Sequence, residues 1–505
     1  MRSIPFLATG LLWAGGAGLL SAQSQPLEGF DQYVERSMKA WKIPGLAIAV
    51  VKDGQVVLAR GYGVRRVGQP EPVTANTLFA IGSATKAFTA TAAGILADRG
   101  RLDLDARATT YLPGFELADP RLTHEITVRD LMTHRTGVAG GDLLWASGAF
   151  DRDEIVRRIR FVPATWGLRS RFDYSNIMFI AAGQAVAVAG GAGLDQILRS
   201  EILLPLGMTS TTTSVRDLPS GGDVATPHDP RTTGPVPVPW RNMDNTLAGG
   251  GINSSAADMA KWLRFQLGRG ALDGRRLVSE RFIDETRTPQ MVIRREGFWA
   301  DMTPDAHFMS YGIGWFLSDY HGYQMLQHGG GIDGMSAMVG LMPEQGVGVV
   351  VLTNLNGNLL PGALMHRVFD AYLGRSPVDW SERARKEVAE ATASGEAADS
   401  ARAKAVVAGT TPTLPLAQYT GTYRHPAWGD LIVRVENGKL VAQYGTEFAG
   451  ELEHVQYDAF RVHWRNPARG TDYLNFTIDV TRRTARADLY LWLTATFDRV
   501  AEPSH

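Results

Sequence analysis

No cysteine occurs in the 505 residues. That absence excludes disulfides, thiolate nucleophiles, Cys-ligated zinc, iron–sulfur clusters and a lipid anchor on an N-terminal Cys. A net field is missing too: 51 Lys and Arg stand against 52 Asp and Glu, for a formal charge of -1. Nothing global therefore attracts nucleic acid or an acidic membrane surface, and the expected partner is a small molecule or short peptide. The histidines show no ligand spacing such as His-x-x-x-His, so no metal and no cofactor are expected. A long apolar run occurs once, over residues 4–20, broken by Gly10, Gly15, Gly16 and Gly18, preceded by Arg2 and followed by Ser21-Ala22-Gln23-Ser24. This pattern predicts a signal peptide over 1–24 and a secreted or periplasmic product. An uncleaved membrane anchor is the alternative, and the run is short for a span of about 20 residues. No later segment is apolar enough to cross a bilayer, so no stable membrane insertion is expected after cleavage.

Lysine is also scarce, supplying eight of the 51 basic residues. One of the eight, Lys86, stands where folding gives no reason for it. Residues 84–97 are almost entirely Ala, Leu, Ile, Phe, Thr and Gly, which predicts a helix buried on most sides and stopped near Gly100. A cation in the first turn of a helix is disfavoured by about 0.3–1 kcal/mol, and burying an ammonium costs considerably more unless it is paired or neutral. Ser83 three residues earlier has an ordinary reading as a helix N-cap. The pair carries more, because both side chains share one helix face and a buried, neutral amine is a base for a serine nucleophile.

Around this stretch the periodicities predict a mixed α/β (α+β) protein. A helix over 30–41 precedes two β-rich runs joined at Asp53-Gly54, a strong hairpin signal. Helical patterns dominate from 83 to about 267, at 127–137, 153–160, 177–188, 194–204 and 255–267, separated by long Gly-, Pro- and Thr-rich loops. Strand patterns return at 311–317, 323–328, 335–342 and 347–353, and a helix closes the region at 360–373. Sheet elements at both ends flanking a helical block predict one antiparallel sheet flanked by helices, with a helical subdomain. Residues 25–375 form this first domain. A solvated helix and linker follow over 376–413, and short alternating segments every 8–12 residues predict a small C-terminal antiparallel β-barrel over 414–505.

Two more clusters carry chemistry. Tyr174-Ser175-Asn176 precedes an apolar helix. A phenol near a cationic amine has a lowered pKa, which would let Tyr174 shuttle the serine proton, and the Asn176 amide could hold both the lysine amine and a substrate carbonyl. His328-Gly329-Gly330-Gly331 ends a strand. Glycines there admit a ligand backbone to the strand edge, and the Gly331 N–H could join the Ser83 N–H in an oxyanion hole. His328 could carry partial positive charge for a substrate carboxylate or help in proton transfer.

With these three motifs in this order, the chain resembles the serine β-lactamase and penicillin-binding protein superfamily, closest to the class C β-lactamase-like hydrolases of the CubicO group. Supporting phrases are Thr77-Leu-Phe-Ala-Ile-Gly-Ser-Ala-Thr-Lys86, Gly100-Arg-Leu-Asp-Leu-Asp105, Leu131-Met-Thr-His-Arg-Thr-Gly137, Gly249-Gly-Gly-Ile-Asn-Ser-Ser255 and Gln327-His-Gly-Gly-Gly331, and the likeness covers roughly residues 28–375. The resemblance implies a serine hydrolase with Ser83 as the acylated nucleophile, Lys86 as its base and Tyr174 as proton shuttle. Asn176, His328, Gly329 and Gly330 would bind substrate. His328 stands where other members open a Lys-Thr-Gly triad, and a His lacks the constant charge that a Lys offers a β-lactam carboxylate. The implied activity therefore leans to a D-aminopeptidase, carboxypeptidase or esterase, with β-lactamase, DD-peptidase or a non-hydrolytic penicillin-binding sensor as alternatives. Tyr419-Thr-Gly-Thr-Tyr423 and the strand spacing resemble the lipocalin-like barrel appended to some of these peptidases.

Overall fold

A computed structural model describes residues 26–501 apart from 298, 299, 301, 302 and 304. The expected signal peptide lies outside the described residues. Eight antiparallel strands form the main sheet: β1 (Gly45–Lys52), β2 (Gln55–Gly63), β3 (Met291–Ile293), β4 (Met309–Tyr311), β5 (Phe316–Tyr320), β6 (Tyr323–Ile332), β7 (Met335–Met342) and β8 (Val347–Thr353), in the spatial order β2-β1-β8-β7-β6-β5-β4-β3. The two ends of the region meet one strand in from the edge, where β1 pairs with β8 from Leu46 opposite Thr353 to Lys52 opposite Val347.

Strand alternation explains why both faces are covered. Leu46, Ile48 and Val50, with Val347, Val349 and Val351, pack on α1 (Phe30–Trp41) and α5 (Leu360–Tyr372) through Val34, Leu364 and Phe369. The intervening Ala47, Ala49, Val350 and Leu352 face the opposite core, with α2 (Lys86–Asp98), α3 (Asn176–Gly190) and α4 (Ala256–Leu267). There the Phe88 ring stacks on Trp262 at 3.7 Å, locking α2 to α4. Successive residues of one strand point to opposite faces, so a run apolar at every position is one buried on both sides.

Three local expectations fail for identifiable reasons. The helix expected over 127–137 is a single turn, Val128–Leu131: a capping box of Thr127 and Asp130 starts it where expected, but His134 takes φ 54 and the chain cannot continue as a helix through 137. The strand expected over 311–317 is two strands, since the chain turns at Gly312 and Gly314 and Gly312 N–H bonds Trp315 O at 2.8 Å. The strand expected over 323–328 runs on to Ile332, because the glycine run that ends it stays paired to β7 through Gly331 opposite Ser336.

Helix α6 (Trp380–Lys404) connects to a closed barrel of eight strands, β9 (Gly421–His425), β10 (Gly429–Glu436), β11 (Lys439–Tyr444), β12 (Phe448–Gln456), β13 (Ala459–Trp464), β14 (Thr471–Ile478), β15 (Thr484–Tyr490) and β16 (Thr494–Arg499). Each strand pairs with the next, and β9 closes onto β16. One rim docks on the first region. Thr446 N–H bonds Ser147 O at 2.9 Å, Arg158 reaches Pro426 O at 2.7 Å, and the Arg469 guanidinium lies 2.7 Å from Asp333.

Candidate active site

Ser83 sits in a 3-10 turn, Gly82–Thr85, that runs directly into α2, and it keeps partial exposure while its neighbours are buried. Lys86 opens α2 and is fully buried. Its Nζ donates to Asn176 Oδ1 and Gly249 O, each at 2.8 Å, and lies 3.1 Å from Ser83 Oγ. The segment carrying Gly249 is fixed to α2 by two further bonds, Thr89 Oγ1 to Ala248 O at 2.9 Å and Ile252 N–H to Thr85 Oγ1 at 3.2 Å. Burial pulls the Lys86 amine from its ordinary 10.5 down to about 7, against a smaller upward pull from Asp142. Near neutral pH a large fraction of the amine is therefore unprotonated and able to accept a proton.

Tyr174 projects from the loop ahead of α3 and is half-buried, hydrogen-bonded to the Ser83 side chain. The Lys86 nitrogen lies 4.8 Å from the centre of its ring, and His134 stacks on the ring at 4.1 Å. His134 is itself held by its Nδ1, which accepts the Ser175 N–H at 3.0 Å. The expectation of a lowered Tyr174 pKa does not hold, because burial raises it well above the usual tyrosine value and exceeds the lowering by the serine hydrogen bond. Tyr174 is a neutral phenol at rest, a donor before it is anything else.

The charge expected on His328 does not form either. The side chain is buried, with Nδ1 2.7 Å from Gly329 O and Nε2 3.1 Å from the Tyr311 hydroxyl. Nδ1–H donates to the carbonyl and Nε2 accepts from the phenol, which describes a neutral imidazole; burial pushes its pKa down to about 3. The partial positive charge expected there is absent.

Strand β5 pairs with β6 only as far as Gln327, so His328 to Ile332 present an edge beyond it toward the nucleophile turn. Contact is backbone on backbone. A Cβ added at Gly330 would lie 1.8 Å from Ile81 O, and one at Gly82, whose φ is 50, would lie 2.9 Å from Gly331 N. Side chains at either place would force the strand off the turn.

Asp142 was not singled out by the sequence. Gly141 packs so closely on Ile177 that a Cβ would meet its Cδ1 at 2.3 Å, and this approach sets the next residue against the start of α3. There both Asp142 oxygens lie near Asn176 Nδ2, at 3.3 and 3.4 Å, and Oδ1 accepts Trp145 Nε1–H at 2.8 Å. The site thus brings together Ser83, Lys86, Tyr174 and Asn176, with the His328 to Gly331 edge alongside, and adds Asp142, His134, Tyr311 and the Gly249 carbonyl. Among the described residues no group of three or more His, Asp or Glu could hold a metal ion.

Residues 30–370 match the family model described as Beta-lactamase, and residues 405–502 match a domain of unknown function, DUF3471. The chain is 31% identical over 481 residues to the unguisins hydrolase ungD of Aspergillus violaceofuscus, covering 86% of this chain and 83% of that one. It is 32% identical over 329 residues to penicillin-binding protein 4 of Amycolatopsis lactamdurans, covering 62% of this chain and 81% of that protein. The solved octameric penicillin-binding protein homologue from Pyrococcus abyssi shares the fold, with a TM-score of 0.62 at 24% identity over 94% of this chain and all of that one.

Proposed function

From the premise that the chain belongs to the beta-lactamase family and is a serine hydrolase, we propose that Ser83 is acylated by amide or ester bonds of small peptides or esters, in the manner of an aminopeptidase, carboxypeptidase or esterase. The observation that carries this is the buried Lys86 amine, 3.1 Å from Ser83 Oγ and with a pKa near 7. Lys86 takes the hydroxyl proton as Oγ bonds to the substrate carbonyl carbon, and the carbonyl π electrons move to oxygen beside the N–H groups of Ser83 and Gly331. Tyr174 donates its proton to the leaving group as the C–N or C–O bond breaks; the tyrosinate then takes a proton from the water that attacks the acyl-enzyme, and as the acyl–Oγ bond breaks Lys86 returns its proton to Ser83 Oγ. Asn176 orients Lys86 and offers Nδ2 to the substrate, while Gly329 and Gly330 give the strand edge along which the substrate extends.

The neutral His328 argues against strong β-lactam turnover, since an uncharged imidazole gives the ring carboxylate no fixed charge at that position. The closed up-and-down order of the C-terminal strands supports a lipocalin-like reading of the barrel. The apolar run at 4–20 supports export to the periplasm or outside. The test is turnover of p-nitrophenyl butyrate, nitrocefin, a D-Ala-D-Ala peptide and alanine p-nitroanilides by the wild type and Ser83→Ala. Ser83→Ala should abolish turnover and covalent labelling with the fold intact; retained turnover by that variant, or no turnover of anything by the wild type, rejects the proposal.

A further inference from the structure

Enclosed carboxylates in this protein are generally given a cation or a set of strong donors. Asp130 holds Arg135 and Arg169, each at 2.6 Å, Asp258 holds Lys261 at 2.9 Å, and Asp333 holds Arg241 and Arg469. Asp370 takes the Tyr320 hydroxyl at 2.7 Å and the Trp380 indole N–H at 2.6 Å. Asp142 differs. It is half-buried and forms no ion pair within 4.0 Å among the described residues, and of its three hydrogen bonds two are long, at 3.3 and 3.4 Å. A carboxylate has room for about four donors, so acceptor capacity is left over. The position is informative as well, because the Asn176 amide lies between this carboxylate and the lysine that serves Ser83, with Nδ2 on Asp142 and Oδ1 accepting from Lys86. A substrate acyl group whose carbonyl approaches Ser83 and Asn176 carries its α-substituent two bonds from the reacting carbon, within reach of the ground that Asn176 shares with Asp142.

We propose that Asp142 is a specificity-determining residue that receives a cationic amine on the acyl side of the scissile bond, so that the preferred substrates are aminoacyl amides or esters with a free α-ammonium. This rests on the assignment of Ser83 as the nucleophile and names the substrate class for that site. The charged groups nearest the incoming ammonium are Lys86 and Asp142; His134 and His328 are buried and neutral. An ammonium on Asp142 offsets the pull of that carboxylate on Lys86, which favours the unprotonated base when substrate is bound.

The test compares kcat/KM for D- and L-alanine p-nitroanilide with the N-acetylated forms and with the N,N,N-trimethyl forms, whose charge does not titrate. Wild type should prefer the free ammonium over the acetylated compound at least tenfold in one stereochemical series. That preference should fall as the substrate amine deprotonates, while the trimethyl compound keeps its rate over the same pH range. In Asp142→Asn the ratio of free to acetylated substrate should drop tenfold or more, and Asp142→Glu should restore part of it. A wild-type ratio near one, or an Asp142→Asn ratio within twofold of wild type because both substrates slow together, overturns the inference; the wild-type arms decide it should the variants not fold. Loss of all turnover, or survival of turnover in Ser83→Ala, would instead strike the underlying assignment.

Discussion

Lys86 Nζ and Ser83 Oγ lie 3.1 Å apart inside a helix start that is otherwise apolar, with the amine's other two bonds going to Asn176 Oδ1 and Gly249 O. Both of those partners are neutral oxygens that accept from a neutral or a charged amine alike. The protein therefore holds Lys86 in place without fixing its charge. Activity should follow from that: kcat/KM is expected to rise with pH through about 7 as the amine loses its proton. Lys86→Met should lower kcat/KM by about 10³-fold or more and remove this limb, as read from the pH–rate profile on a neutral ester.

The same burial has a signature in stability. In the unfolded chain Lys86 returns to its ordinary 10.5, and in the fold it stands near 7. Between those values the unfolded state holds one more proton than the native state, so unfolding free energy rises with pH across that window; below it both states are charged and the burial cost is fully present. Wild type should gain on Lys86→Met by about 1.4 kcal/mol per pH unit between 7 and 9. Urea midpoints of the two proteins at pH 7, 8 and 9 check this, and parallel midpoints would contradict it.

Tyr174 is half-buried with its pKa raised, hydrogen-bonded to Ser83 and stacked on His134. A neutral phenol contributes most where a poor leaving group needs a proton. Tyr174→Phe should therefore cost about 10²–10⁴-fold on an unactivated amide and markedly less on a p-nitrophenyl ester, whose leaving group departs as an anion. Equal losses on both substrates would assign Tyr174 a packing role.

Sequence patterns revealed the sheet and the motif residues because each is a local signal. The unbroken apolar runs of β1 and β8, the Asp53-Gly54 turn and the misplaced Lys86 can all be read within a few positions. Two readings went astray for one shared reason. The charge of Tyr174 and His328 depends on how completely other segments enclose them, and here Tyr311, from a different strand, both caps His328 Nε2 and helps seal the aromatic cluster with Phe172 and Phe316. Asp142 was missed because its partner Asn176 is 34 positions away and the approach depends on Gly141 against Ile177.

The glycine run offers a steric contrast within one strand. A Cβ at Gly330 would lie 1.8 Å from a backbone oxygen of Ile81, whereas one at Gly331 meets nothing within 4 Å. Gly330→Ala must push β6 off the nucleophile turn and should cost about 3 kcal/mol or more along with most activity. Gly331→Ala should fold with a midpoint near wild type, so any loss it shows reads out the oxyanion geometry. Thermal melts and labelling by a fluorophosphonate separate the two.

Asp333 stands at the turn after β6 with two arginines, Arg241 at 3.4 Å from the first region and Arg469 at 2.7 Å from the barrel rim, and both guanidinium side chains are only 7% exposed. Arg469 has a second acid, Glu447, at 2.9 Å. Removing Arg469 leaves Asp333 paired with Arg241. Removing Asp333 leaves two enclosed cations facing each other with Glu447 alone to balance them. Asp333→Ala should therefore destabilise more than Arg469→Ala, with a loss of about 3–5 kcal/mol for the acid. The damage should fall on barrel docking, seen as faster proteolysis within α6. A double-mutant cycle should give a large coupling energy, and the pair Asp333→Ala with Arg469→Ala should be more stable than Asp333→Ala alone, because it removes the repulsion that the first change creates.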